Sequence, residues 1–220
     1  MKPANALLLA ILTLSVGAAY GLARFQVSMN TQAQNADQTV IITSGDTHEV
    51  TPTMLAQANS MERDEAPTFQ AEANDGKNYS LGELAAEGPL ALIFIKDGCP
   101  CSIAAAPYYN RLNEAYGSHV RFFGIIDGDA EVARKWGLAN EVTFPILRDP
   151  DLRIVRKYKA ANSAYFTIIS RGGTIEKYWP GYSVGMLTEA NEQLARLSQI
   201  KVKPIDMTDA PDEMFSGCPY

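Results

Sequence analysis

Hydrophobic and polar positions along this chain fall into blocks that read as alternating strands and helices. The run Pro89-Leu-Ala-Leu-Ile-Phe-Ile-Lys96 is apolar throughout and bounded by a proline and a charge, the pattern of a strand buried on both faces. Residues 120–126 repeat that pattern and close on Asp127-Gly-Asp129. Between the two runs, positions 102–117 predict a helix that stops at Gly117. Residues 130–137 predict a second helix with Trp136 in the core, and 144–148 a short strand. Residues 164–170 and 174–179 flank Arg171-Gly-Gly173 as a hairpin. The segment Val184–Ser198 places Leu187, Ala190, Leu194 and Leu197 on one stripe of an amphipathic helix. Ahead of the first buried strand, 68–73 and 77–80 flank Asn74-Asp-Gly76, a hairpin signal, and Ser80 caps a short helix through Ala86.

Strands that alternate with helices and finish in a hairpin and a helix build an α/β domain, a central mixed β-sheet flanked by helices. The domain is expected over 66–200, with the first hairpin as an N-terminal β-hairpin extension. Residues 24–65 are polar and read as a partly disordered linker, in which Thr51-Pro52 opens a short helix. Residues 201–220 read as a mobile C-terminal tail. Residues 1–23 hold one charge, Lys2, ahead of an apolar run. That run is long enough to span a bilayer, and Gly21-Leu-Ala23 also suits a cleaved signal peptide. Either way the chain is expected to be exported, periplasmic or in the cell envelope, and tethered to the membrane by residues 4–23 if the leader is retained.

The formal net charge of −6, with no basic cluster, excludes nucleic acid as a partner. Candidate chemistry lies in the three cysteines. Cys99 and Cys101 fall in Phe94-Ile-Lys-Asp-Gly-Cys-Pro-Cys-Ser102, where the buried strand gives way to a helix. Backbone N–H groups and the positive end of the helix dipole stabilise a thiolate there, and Pro100 fixes the turn between the two thiols. The pair reads as redox-active, as a structural disulfide or as a soft-metal site. Lys96 is placed to lower a thiol pKa or to stand as a solvated strand end, and Asp97 opposes a thiolate. Ser102 reads as a helix cap, and Tyr108 and Tyr109 as helix packing. An odd cysteine count leaves Cys218, in Phe215-Ser-Gly-Cys-Pro-Tyr220, as a resolving thiol, a static disulfide partner or a link between chains.

The order of these elements resembles the thioredoxin fold, and within it the AhpC/TSA and redoxin branch that includes the peroxiredoxins. Ala66-Pro-Thr-Phe69 with Asp75-Gly-Lys-Asn-Tyr-Ser-Leu81 is similar to that branch's opening hairpin. Phe144-Pro-Ile-Leu-Arg-Asp-Pro-Asp151 resembles its middle segment, and Phe166-Thr-Ile-Ile-Ser-Arg-Gly-Gly-Thr-Ile175 its last hairpin. The resemblance implies a thioredoxin-like fold and an enzyme that exchanges thiols and disulfides, Cys99 attacking and Cys101 resolving. Its partners are protein or small-molecule thiols and disulfides, with no cofactor and no metal. The family motif has two residues between its cysteines and a proline eight positions after the first. Pro107 fits that spacing from Cys99, while Ser102 takes the place of the second cysteine. A disulfide across one residue is strained and therefore reactive. Ala164 falls where thioredoxins carry a cis-proline and peroxiredoxins an arginine. Three alternatives stand beside exchange. One is a thiol peroxidase with Cys218 as resolving cysteine. The second is Cu(I) binding, for which His48, His119, Met207 and Met214 are the further ligand candidates. The third is a non-catalytic module of the same fold.

Overall fold

The computed structural model describes residues 48–220. The leader expected over 1–23, and the part of the linker before residue 48, lie outside the described residues. Among the described residues no helix is long and apolar enough to cross a membrane.

The elements run β1 (His48–Glu49), α1 (Pro52–Asn59), β2 (Gln70–Glu72), β3 (Asn78–Ser80), α2 (Leu81–Glu87), β4 (Leu90–Ile95), α3 (Pro100–Tyr116) and β5 (Arg121–Ile126). They continue with α4 (Ala130–Ala139), β6 (Ile146–Arg148), α5 (Arg153–Lys157), β7 (Phe166–Ile169), β8 (Ile175–Trp179), α6 (Val184–Ser198) and β9 (Phe215–Ser216). The central sheet has the order β6-β5-β4-β7-β8. Strand β4 is parallel to β5 and antiparallel to β7, so the expected mixed sheet is present. β2 and β3 form the antiparallel N-terminal hairpin.

Strand β4 is buried along its whole length, and its period of two divides the core. Ala91, Ile93 and Ile95 face a cluster with Leu112 and Tyr116 of α3 and Met186, Leu187 and Leu194 of α6. Leu90, Leu92 and Phe94 face the other side, with Leu81 and Leu84 of α2 and Ile154 and Val155 of α5. A helix layer on each face explains why the strand reads as a continuous apolar run. Ser80 caps α2 as expected, accepting from the Glu83 N–H and donating to its carboxylate at 2.6 Å, a capping box.

Two expectations give way here. Residues 48–65 are structured: the short helix expected at Thr51-Pro52 is present as α1, capped by Thr51, and Ala58 of α1 and Met61 are 1% and 6% exposed within the core. The apolar face of α1 finds β8 to pack on, which an isolated polar stretch does not reveal. The C-terminal tail is also ordered. Its β9 pairs with β1, Asn191 Nδ2 donates to Lys203 O at 2.9 Å, and Tyr108 Oη donates to Thr208 O at 3.1 Å. Backbone groups held in this way define a fixed path, and that path ends over the cysteines.

Candidate active site

Strand β4 ends at Ile95, and the turn Lys96-Asp97-Gly98 leads into α3 with Gly98 at φ +69°. Cys99 is the N-cap and Pro100 the first helical residue. The helix therefore begins two residues before the expected position, because proline has no N–H to leave unsatisfied in a first turn. Ser102 accordingly lies inside the helix. Its Oγ accepts the Lys96 N–H at 3.2 Å, tying the turn to the helix rather than capping it.

Four donors converge on the Cys99 sulfur. The Cys218 backbone N–H lies at 3.1 Å and the Ser163 hydroxyl at 3.3 Å, and the thiols of Cys101 and Cys218 also donate to it. Donors aimed at a sulfur favour its anion. The Cys101 hydrogen bond is the largest influence, and with Cys218 and Ser163 it outweighs burial and holds Cys99 far below the usual thiol range. Cys101 shifts the other way: its bond to Cys99, burial and the neighbouring thiolate all push it up, against a backbone hydrogen bond from His48. Cys218 is pushed up to about 11 by burial and by its bond to Cys99. The arrangement is one thiolate served by two protonated thiols.

Lys96 does not serve Cys99. Its ammonium pairs with Asp127 at 3.4 Å and lies 5.7 Å from the Tyr220 ring centre, so its charge is largely compensated and bears on Cys218 instead. The Asp97 N–H donates to the same Asp127 carboxylate at 2.7 Å. Tyr108 and Tyr109 pack as expected. Tyr109 stacks on Phe166 with ring centres 5.2 Å apart and donates to Ala164 O at 3.2 Å.

Ala164 takes the place of the thioredoxin proline, or the peroxiredoxin arginine, by a different construction. Its φ is +61° and its N–H donates to Phe94 O at 2.7 Å. Proline permits neither, and among the described residues no peptide bond is cis. The residue just before it, Ser163, is the one whose side chain meets the Cys99 sulfur at this edge.

The C-terminal segment pairs with that edge. Ser163 N–H donates to Cys218 O at 3.0 Å, Gly217 N–H to Ser163 O at 2.8 Å, and Tyr220 N–H to Ala161 O at 3.2 Å. Asn162 Nδ2 donates to Gly217 O at 2.7 Å, and Tyr220 Oη to Ile95 O at 3.0 Å. A Cβ on Gly217 would lie within 2.9 Å of the Ser163 carbonyl carbon and oxygen, so the close approach requires glycine. The structure thus brings Cys99, Pro100, Cys101, Ser102, Ala164 and Cys218 together and turns Lys96 aside. Sequence reasoning missed Ser163, Gly217 and Asp127. The second Gly-Cys-Pro, at 217–219, was the available signal for the tail. Of the copper candidates, Met207 and Met214 pack against the core, His119 is an exposed neighbour of Ser118, and the exposed His48 meets Cys101 through its backbone. Among the described residues no group of three or more His, Cys, Asp and Glu is placed to hold a metal ion.

No curated protein matches the sequence. Among solved structures, a putative protein disulfide isomerase from Bacteroides thetaiotaomicron is 22% identical, covering 63% of this chain and 90% of its own, with a TM-score of 0.57. A secreted Mycobacterium tuberculosis disulfide oxidoreductase homologous to E. coli DsbE is 24% identical over 59% of this chain and 96% of its own (TM-score 0.51). Peroxidoxin BcpB of the same organism is 17% identical over 64% and 98% (TM-score 0.52). At these identities the likeness establishes the shared thioredoxin fold. A family model adds to it, matching residues 63–178 across the hairpin, the cysteine turn and most of the sheet. This chain belongs to the AhpC/TSA family.

Proposed function

We propose that the protein is an exported thiol–disulfide oxidoreductase that uses Cys99 and Cys101 as its redox pair and runs in the oxidising direction. The observation that carries this reading is the set of donors focused on one helix-capping sulfur. The Cys99 thiolate attacks a disulfide of an oxidising partner, forming a mixed disulfide and releasing one partner thiolate. Cys101 then gives up its proton and attacks the Cys99 sulfur, closing the Cys99–Cys101 bond and releasing the second partner thiolate. The reverse sequence passes the disulfide to a dithiol substrate.

Direction follows from stability. Every donor to Cys99 stabilises the dithiol state and is lost as a partner to the anion once the disulfide forms. A pair whose reduced form is stabilised is an oxidant. Export agrees with disulfide chemistry, since such bonds persist outside the cytosol. One similar structure is that of a secreted disulfide oxidoreductase.

Peroxidase chemistry is a second reading, favoured by the Cys218 thiol beside the Cys99 thiolate. Against it, the hydrogen-bond donors at Cys99 are thiols, a hydroxyl and a backbone N–H, with no guanidinium among these described groups to stabilise peroxide charge. The test is oxidation of a dithiol peptide by the pre-oxidised protein, alongside hydrogen peroxide consumption with a thiol donor. Exchange predicts rapid peptide oxidation that disappears in Cys99→Ser, with slow peroxide turnover. Fast peroxide consumption with sluggish peptide oxidation would reverse the assignment.

A further inference from the structure

The redox pair is sealed. Cys99 and Cys101 are 1% and 0% exposed, whereas Cys218, on the segment laid across them, is only half-buried. The cover is a built feature. It is an antiparallel extension of the edge at 162–163, anchored further back where Phe215 and Tyr182 exchange backbone hydrogen bonds of 3.1 and 2.9 Å. Glycines at two points let it approach. A Cβ on Gly181 would lie 2.7 Å from the Phe215 carbonyl carbon, and one on Gly217 would meet the Ser163 backbone. The path ends with the Cys218 N–H donating to the Cys99 sulfur at 3.1 Å, which sets the Cys218 side chain beside the pair.

We infer that Cys218 is a third redox-active thiol, which carries the disulfide from the buried Cys99–Cys101 pair to protein dithiols at the surface; the inference rests on the exchange reading above. The Cys218 thiol loses its proton and attacks Cys99 in the Cys99–Cys101 disulfide. That bond breaks, a Cys99–Cys218 bond forms, and Cys101 leaves as a thiolate and takes up the proton. The step is redox-neutral. A substrate thiolate next attacks the accessible Cys218 sulfur and expels Cys99, the best-stabilised leaving group of the three, since leaving is faster for a thiol of lower pKa. The substrate's second thiolate then attacks its own sulfur in the mixed disulfide and releases Cys218, which is reprotonated. Net, one substrate dithiol becomes a disulfide and the pair becomes a dithiol, to be recharged by a disulfide-bearing oxidant.

The elevation of Cys218 in the reduced protein is consistent with this order of events. It arises from burial and from the Cys99 anion, and the second cause vanishes once Cys99 is in a disulfide. Cys218 is thus held in reserve while the pair is reduced and released when the pair is charged.

The test oxidises the full chain with oxidised glutathione, mixes it with a reduced unfolded polypeptide carrying two cysteines, quenches with acid and maps the disulfides. The relay predicts a Cys99–Cys218 bond in the charged protein, a mixed disulfide with the polypeptide on Cys218, and loss of polypeptide oxidation in Cys218→Ser. Gly217→Ala keeps all three sulfurs but forces the segment off Ser163, and the same loss is expected. A mixed disulfide confined to Cys99, with Cys218→Ser oxidising the polypeptide at or above the wild-type rate, would overturn the relay and make the segment a simple cover. Failure of the exchange reading looks different. The charged wild-type chain would then fail to oxidise even dithiothreitol, and both claims would fall together.

Discussion

Replacing Ser163 by alanine removes one donor from the Cys99 thiolate and leaves the others in place. The Ser163 hydroxyl lies 3.3 Å from the sulfur and its side chain is fully buried, so no water takes over its role. A hydrogen bond to a charged group contributes about 1.5–3 kcal/mol, and the diffuse charge of sulfur places this one near the lower limit. One pKa unit corresponds to about 1.4 kcal/mol, so Cys99 should titrate about one unit higher in Ser163→Ala. The same loss weakens the dithiol against the disulfide, making the pair more reducing by about 30 mV. The Cys218 N–H and the Cys101 thiol remain, so Cys99 stays below the usual thiol range. The readouts are the pH dependence of the thiolate's ultraviolet absorption, the alkylation rate mapped to Cys99, and equilibration with glutathione. An unchanged or lower midpoint in a folded variant would refute the donor account of this site.

Further consequences concern stability and backbone. The reduced protein should gain stability as pH rises from about 3, where folded Cys99 titrates, to about 8.5, where an unfolded thiol does. In that window the unfolded chain binds a proton at Cys99 that the folded chain does not, so the slope is positive. Above it the sign reverses, because Cys101 loses its proton only when unfolded. Denaturant titrations of the reduced wild type and of Cys99→Ser across pH should show this contribution as the difference between the two, since depressed carboxylates such as Asp75 and Glu189 raise stability in both. Ala164→Pro, which would introduce the proline that thioredoxins carry here, should instead cost more than about 3 kcal/mol by chemical denaturation, because φ +61° and the bond to Phe94 O both exclude proline. Tyr109→Phe leaves Ala164 O without its side-chain donor and should destabilise by about 1 kcal/mol in the same assay. Lys96→Met should leave the Cys99 titration nearly unmoved, since Asp127 already engages the ammonium.

What the sequence makes legible here is what depends on local pattern. Strand β4 announces itself because both its faces are covered, α6 because its apolar stripe repeats at helical spacing, and α2 because Ser80 and Glu83 form a local box. The cysteine turn is legible for the same reason, as a strand end followed by proline. The rest of the site depends on contacts between distant residues. Ser163 matches no motif; its role arises from facing Cys99 across the sheet edge. Lys96 looks like an activator until Asp127, 31 positions away, takes its charge. The tail after residue 200 has no periodicity, and its order comes from backbone pairings with residues 48–49, 161–163 and 182 and from bonds to the side chains of Tyr108, Tyr116 and Asn191. Gly217 is marked only by the repeated Gly-Cys-Pro, and its need for a missing Cβ exists only once Ser163 is opposite. The expected spacer before residue 66 fails similarly, because α1 is amphipathic only weakly and is held by what it packs on.

The most direct test of the account is the redox potential of the cysteine site, measured on the full chain by equilibration in graded glutathione buffers with acid trapping and disulfide mapping. A stabilised Cys99 thiolate predicts a two-electron transition centred on Cys99, at a potential well above the roughly −270 mV of thioredoxin. A midpoint at or below that value, or a transition that leaves Cys99 reduced throughout, would contradict the claim that this site is built to pass a disulfide on.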